Sequence, residues 1–172
     1  MIQYIFNTET EKILYNEAGN WGPIYVESGG EWGSDPVFRS PWRAATQVEI
    51  DAELLTEAKD AKLGELANDF TAYECGGYDY GGNIYCLKQV GIDNIVTVVD
   101  GLDAADPNAY TFRDIDSVPH DFETQEGWNA FKQAMQTERN RIMVYYIAKK
   151  VEINACSTVA EVEAVVIDFS PT

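Results

Sequence analysis

Basic side chains are scarce in this sequence. Lys and Arg number 12 against 29 Asp and Glu, a formal net charge of -17 over 172 residues. A surface with that balance opposes a phosphate backbone or an anionic membrane, so neither nucleic acid nor membrane is expected as a partner. No run reaches the roughly eighteen apolar residues of a membrane span. The N-terminal Met1-Ile2-Gln3-Tyr4-Ile5-Phe6 lacks the basic flank and long apolar centre of a signal peptide. Repeats of solenoid length are missing as well.

Chemistry-bearing residues are equally sparse. His120 is the single histidine, and although Asp121 follows it, sequence neighbours seldom form the pair that meets in a triad. A turn or helix-start role is expected for it. Cys75, Cys86 and Cys156 contain no Cys-x-x-Cys knuckle, and their spacing with His120 fits no common structural zinc site. Asp100, Asp103, Asp106 and Asn108 lack the Gly and terminal Glu of a calcium loop and read as a solvated acidic loop. Gly76-Gly77 and Gly81-Gly82 flank tyrosines without the Lys and helix start of a phosphate cradle. No catalytic, cofactor-binding or metal-ligating residue is therefore assigned, and the chain is not expected to be an enzyme.

What is present is 45% hydrophobic content, enough for a real core, in a length that fits one domain plus an extension. The most readable stretch is Tyr110 to Val166. Tyr110-Thr111-Phe112-Arg113 predicts a strand, and Asp114 to Pro119 a turn. Thr124 is placed as an N-cap with Glu126 in the first turn. Trp128, Phe131, Met135, Ile142, Tyr145 and Tyr146 then recur at helical spacing. A helix of about thirty residues exceeds what a domain of this size needs to cover its own core, so part of its apolar surface is expected to face a second helix or another chain.

The first 45 residues follow different rules. Tyr4 and Phe6 alternate with Ile5, Asn7 to Glu11 suits a turn, and Ile13 to Tyr15 offers a return strand, which predicts a hairpin. Beyond it Gly and Pro punctuate a stretch that still holds Trp21, Tyr25, Trp32, Phe38 and Trp42, too aromatic for a disordered linker. These rings either pack on the same chain or form an arm that docks on a partner, where Trp and Tyr are favoured anchors. Candidate partner-binding residues are thus Trp21, Tyr25, Trp32, Phe38 and Trp42 in the arm, with Trp128, Phe131 and Tyr145 on the long helix.

Thr46-Gln47-Val48-Glu49 matches a capping box and opens a helix with Val48, Ala52, Leu55, Leu63, Leu66 and Phe70 on one face, interrupted by Lys59 and ending near Asn68. Tyr73 to Leu87 then reads as a second hairpin. Folded about Tyr80-Gly81 it would place Cys75 opposite Cys86 within disulfide reach, although both remain thiols in a reducing cytosol, and Cys156 stays unpaired. A shorter helix is expected over Asn94 to Leu102. Thr158-Val159-Ala160-Glu161 is a second capping box opening the last element, with Val162, Val165 and Val166 as its apolar face. The fold class is α+β: a β-rich arm over 1–45, a linking helix over 46–69, and a C-terminal domain over 70–172 in which a hairpin packs on two or three helices, one of them long.

The succession Ala58 to Leu63, Phe70 to Tyr78, Tyr110 to Asp116, Trp128 to Tyr146 and Ile153 to Val162, closing in Thr158-Val159-Ala160-Glu161, resembles the small domain of unknown function found in bacteriophage tail proteins. In that family it lies at the C-terminal end of tail fibres or in short proteins encoded beside them. The resemblance covers residues 58 to 168, and Asp79-Tyr80-Gly81-Gly82 departs from the acidic segment expected after the hairpin. It implies a structural or accessory tail protein, associated with the tail fibre or baseplate, made in the bacterial host cytoplasm and located in the virion. Its partners would be other tail proteins and further copies of itself, and the family carries over no catalytic residue. An acidic mimic of nucleic acid, a fibre-assembly chaperone not retained in the virion, and a surface-polysaccharide hydrolase are the alternatives.

Overall fold

The computed structural model describes residues 4–16, 26–28, 37–88 and 111–170. Its architecture is α+β. Chain contacts divide it into one unit of Met1–Lys59 with Ser157–Val159 and another of Asp60–Cys156 with Ala160–Thr172. Among the described residues no helix is long and apolar enough to cross a membrane.

In the first unit, β1 (Tyr4–Asn7) pairs antiparallel with β2 (Lys12–Tyr15) in the register Tyr4↔Tyr15 to Asn7↔Lys12. The expected hairpin is there, but the buried face is the reverse of the aromatic one. Ile5 is fully buried while Tyr4 and Phe6 are half-buried. Asn7 explains part of this, because its Oδ1 accepts from the amides of Glu9 and Thr10 at 2.9 and 3.0 Å and closes the turn from inside. A third strand, β5 (Trp42–Ala44), adds to the other edge of β1, and β3 (Val26–Ser28) pairs with β4 (Val37–Phe38).

Helix α1 (Gln47–Gly76) starts where the capping box places it. Glu49 Oε2 accepts from the Thr46 amide at 2.8 Å while the Glu49 amide donates to Thr46 Oγ1 at 3.3 Å. Arg43 forks onto the same carboxylate and stacks over Phe6 at 4.5 Å. The Arg43 hydrogen bond, followed by the Thr46 amide, lowers the Glu49 pKa from 4.5 to about 2. A carboxylate depressed in the folded state stabilises fully above its unfolded pKa and loses that contribution as pH falls through the folded value. The strand-to-helix junction is therefore expected to weaken between pH 4.5 and about 2. In an acid titration followed by circular dichroism, Glu49→Gln should flatten that part of the curve; an unchanged curve would show that the pair contributes nothing.

The second unit holds the rest of α1, β6 (Tyr78–Tyr80), β7 (Asn83–Tyr85), β8 (Thr111–Arg113), β9 (Pro119–Asp121), the helix α2 (Gln125–Ala155) and nearly all of α3 (Val159–Glu163). Here α1 runs eight residues past the expected end at Asn68. Phe70 and Tyr73 continue the Leu66 face, and the helix stops only at the Gly76-Gly77 pair. The hairpin that follows is correspondingly shorter. Its register is Tyr78↔Tyr85 and Tyr80↔Asn83, and its turn is Gly81-Gly82 with φ of 65° and 85°. Both central residues need positive φ in a type I′ turn, so the glycine pair and not Tyr80-Gly81 sets the centre. The cysteines are therefore not paired across the hairpin ladder, which ends at Tyr78↔Tyr85: Cys75 lies in the last turn of α1 and Cys86 beyond β7, where the Leu87 amide donates to the Glu74 carbonyl at 2.6 Å. Cys75, Cys86 and Cys156 are all free.

His120 is also relocated. It sits in β9 opposite Phe112, not in a turn or at a helix start, because the chain reverses earlier over Asp114 to Val118. Asp114 Oδ1 accepts from the amides of Asp116 and Val118 at 3.0 and 2.9 Å, and its Oδ2 meets His120 Nε2 at 2.8 Å. The His120 contact, with these two amides, lowers the Asp114 pKa. Pro119 is tolerated as the first residue of its strand. The helix expected over 94–102 and the acidic loop of Asp100 to Asn108 lie outside the described residues.

Candidate interaction surface

Helix α2 organises the second unit. Thr124 is its N-cap, with β-region angles of -137° and 151° and Oγ1 accepting from the Gly127 amide at 3.1 Å. Over 31 residues, about 46 Å at 1.5 Å per residue, its buried positions are Trp128, Phe131, Met135, Glu138, Ile142 and Ile153. Phe131 is the hub of an aromatic cluster, with ring centroids of Phe122 at 4.7, Tyr85 at 4.8, Tyr80 at 5.1, Phe112 at 5.6 and Trp128 at 5.6 Å. Phe122 packs edge-on against Trp128 at 5.2 Å. Burial, then the Asp114 charge, raises the Tyr85 pKa and keeps its hydroxyl neutral.

Two turns beyond Phe131, α2 carries a polar clamp. Glu138 accepts from Tyr73 Oη of α1 at 2.8 Å and from Arg141 Nε and Nη2 at 2.8 and 2.6 Å. Arg141 Nη2 also donates to the carbonyl of Phe169. The Arg141 hydrogen bond lowers the Glu138 pKa despite burial, and burial followed by the Glu138 hydrogen bond raises that of Tyr73. Arg139 pairs with Glu74 of α1 at 2.8 Å and lies over Phe70 at 5.2 Å. The C-terminal segment is held by Tyr145, whose hydroxyl accepts from the Asp168 amide at 2.9 Å and whose ring meets Phe169 at 4.9 Å. With Val162 and Val165 buried beside it, Phe169 closes the end of this core.

These placements redistribute the candidate partner-binding residues. Trp21, Tyr25 and Trp32 lie outside the described residues. Phe38 and Trp42 are half-buried in β4 and β5. Trp128 and Phe131 are 1% and 0% exposed within the aromatic cluster, and Tyr145 is half-buried against the C-terminal segment. The open surface lies on the opposite side. Val144, Ile147 and Val151 are 68%, 54% and 64% exposed, one above the other at spacings of three and four. They were hidden in the sequence because the aromatic residues set the apparent period; counting apolar residues from both edges of the helix would have separated the two faces. On α1, Val48 and Leu54 are likewise exposed.

Little else converges. Asp69, Ala72, Tyr73 and residues 167–170 line a shallow depression, where the Asp168 carboxylate is satisfied by the Ser170 amide at 2.9 Å. Among the described residues no group of three or more His, Cys, Asp or Glu is arranged to hold a metal ion. What this part of the chain offers is a rigid helix, full on one side and open on the other. No protein-family model, no curated protein and no solved structure matches this chain.

Proposed function

We infer that this protein is a structural or accessory component of a bacteriophage tail, associated with the fibre or baseplate and acting by protein–protein contact. The observation that carries the reading is the apolar set left exposed on α2 by a helix whose inward face is already filled. Solvent-exposed apolar stripes on otherwise well-packed helices mark contact sites. The order of segments that resembles the tail domain supports the same role, and the acidic surface suits a protein that joins other proteins rather than nucleic acid. Mass spectrometry of purified particles of the encoding phage, set beside affinity capture from the infected host, tests it. The chain is expected in the particles at a fixed ratio to the tail proteins. Capture with fibre proteins but absence from particles would assign it as an assembly factor, and absence from both would overturn the reading.

A further inference from the structure

We propose that Cys75 and Cys86 are a redox-sensitive pair that closes into a disulfide in the native fold and staples the end of α1 to the strand leaving the hairpin. Two backbone ties place them together. The ladder of β6 and β7 ends at Tyr78↔Tyr85, and beyond it the Leu87 amide donates to the Glu74 carbonyl at 2.6 Å. Only Cys75, Gly76 and Gly77 on one side and Cys86 on the other lie between these ties. The cysteines are thus neighbours through the helix end and not through the hairpin ladder.

The hydrogen bond bounds their separation. Cys75 follows the accepting carbonyl and Cys86 precedes the donating amide, so each Cα is one peptide plane away from the contact. A planar trans peptide puts Cα roughly 2.8 Å from the preceding carbonyl oxygen and roughly 2.4 Å from the following nitrogen. The N–H lies on the same side of its peptide as the preceding Cα, so the path from Cys86 bends at that nitrogen. The two Cα atoms therefore lie within roughly 7 Å, a span that a disulfide can bridge. The surroundings are fixed as well. Tyr85 and Leu87 are 1% and 0% exposed and hold Cys86 between them, and Glu74 pairs with Arg139 at 2.8 Å at the helix end. Gly76-Gly77 carries no Cβ and lets the backbone after Cys75 adjust as the bond closes.

Both residues are half-buried and free, within reach of a small oxidant. Cys156, whose Sγ donates to the Glu152 carbonyl at 3.4 Å, caps α2 and is not part of the pair. Oxidised glutathione supplies the oxidising equivalents. One cysteine thiolate attacks a sulfur of the glutathione disulfide, that S–S bond breaks, and one glutathione thiolate leaves. The second cysteine thiolate attacks the protein sulfur of the mixed disulfide and expels the other glutathione. Two protein thiols thus lose two protons and two electrons, and one disulfide is reduced to two thiols. The pair stays reduced in a glutathione-poised cytosol and closes in an oxidising compartment.

The purified full-length chain, incubated in native buffer with oxidised glutathione and then alkylated with iodoacetamide, tests this. Trypsin leaves both cysteines in one peptide, residues 63–88, because no Lys or Arg lies between Lys62 and Lys88. That peptide is expected to be lighter by two hydrogens and free of adducts. Closing a loop of about ten residues restricts the unfolded chain and should raise the Tm by about 5 °C. Cys75→Ser and Cys86→Ser should each lose that rise, and Cys156→Ser should keep it. A peptide that carries two adducts or two glutathiones, a bond to Cys156 instead, closure that appears only in denaturant, or a Tm unmoved by oxidation overturns the proposal. None of these outcomes bears on the tail role, which the particle and capture measurements decide.

Discussion

Phe131→Ala is expected to remove about 3–5 kcal/mol of stability. The ring is 0% exposed and touches five other rings, contributed by β6, β7, β8, the segment after β9 and α2 itself. Truncation leaves a cavity that these neighbours cannot jointly collapse into, because each is fixed by a separate strand or helix backbone. Set against a total stability of roughly 5–15 kcal/mol, that loss brings the second unit near the edge of unfolding. Phe131→Leu retains most of the volume and should cost less, about 1–1.5 kcal/mol. Urea denaturation followed by far-ultraviolet circular dichroism measures both. A loss under about 1.5 kcal/mol for the alanine variant would mean that the cluster repacks around the gap, and that Phe131 is not its hub.

The same residue illustrates what could be read from the chain. Trp128, Phe131, Met135 and Ile142 were legible as one helical face because bulky residues at a 3.6 period leave few other solutions, and the Thr124 cap fixed where the helix begins. The Thr46–Glu49 capping box was legible for the same local reason. Misreading set in where local signals compete. Cys75 and Gly76 look like the start of an aromatic hairpin, yet Phe70 and Tyr73 extend the buried face of α1, and tertiary packing keeps the helix going to Gly76. The hairpin turn depended on which two residues take positive φ, and two adjacent glycines made Gly81-Gly82 the answer. β9 was missed because Pro119 argues against a strand until its edge position is known.

The open face of α2 was harder still. Its signal is three exposed aliphatic residues, Val144, Ile147 and Val151, set among polar ones, which shows only once the helix boundaries and the inward face are known. Apolar residues on the outer side are few, so the aromatic residues drew the expectation of partner binding onto Trp128, Phe131 and Tyr145. Trp128 and Phe131 are instead buried in the chain's own core, and Tyr145 is half-buried against Phe169.

Glu138→Ala is expected to be the most damaging change to a polar group. Glu138 is 9% exposed and receives hydrogen bonds from Tyr73 and twice from Arg141. Its removal leaves the Tyr73 hydroxyl with only the long 3.5 Å hydrogen bond from Arg141 Nη2, and Arg141 with that contact and the Phe169 carbonyl. Breaking a fully buried ion pair costs roughly 3–5 kcal/mol. The Arg141 side chain is 31% exposed and recovers some hydration, so the expected loss is smaller, about 2–3 kcal/mol. Glu138→Gln keeps an acceptor for Tyr73 but not the charge, and should cost about 1 kcal/mol. The pH dependence separates the two causes. Since its carboxylate is held below 4.5 in the folded state, the Glu138 contribution is complete above that value and fades as pH falls through the lowered pKa. The gap in stability between wild type and Glu138→Gln should therefore be widest near neutrality and close in acid. A gap that stays constant down to the acid limit, or an alanine variant within about 1 kcal/mol of wild type, would show that Tyr73 and Arg141 find water in its place and that the clamp contributes little to holding the C-terminal segment.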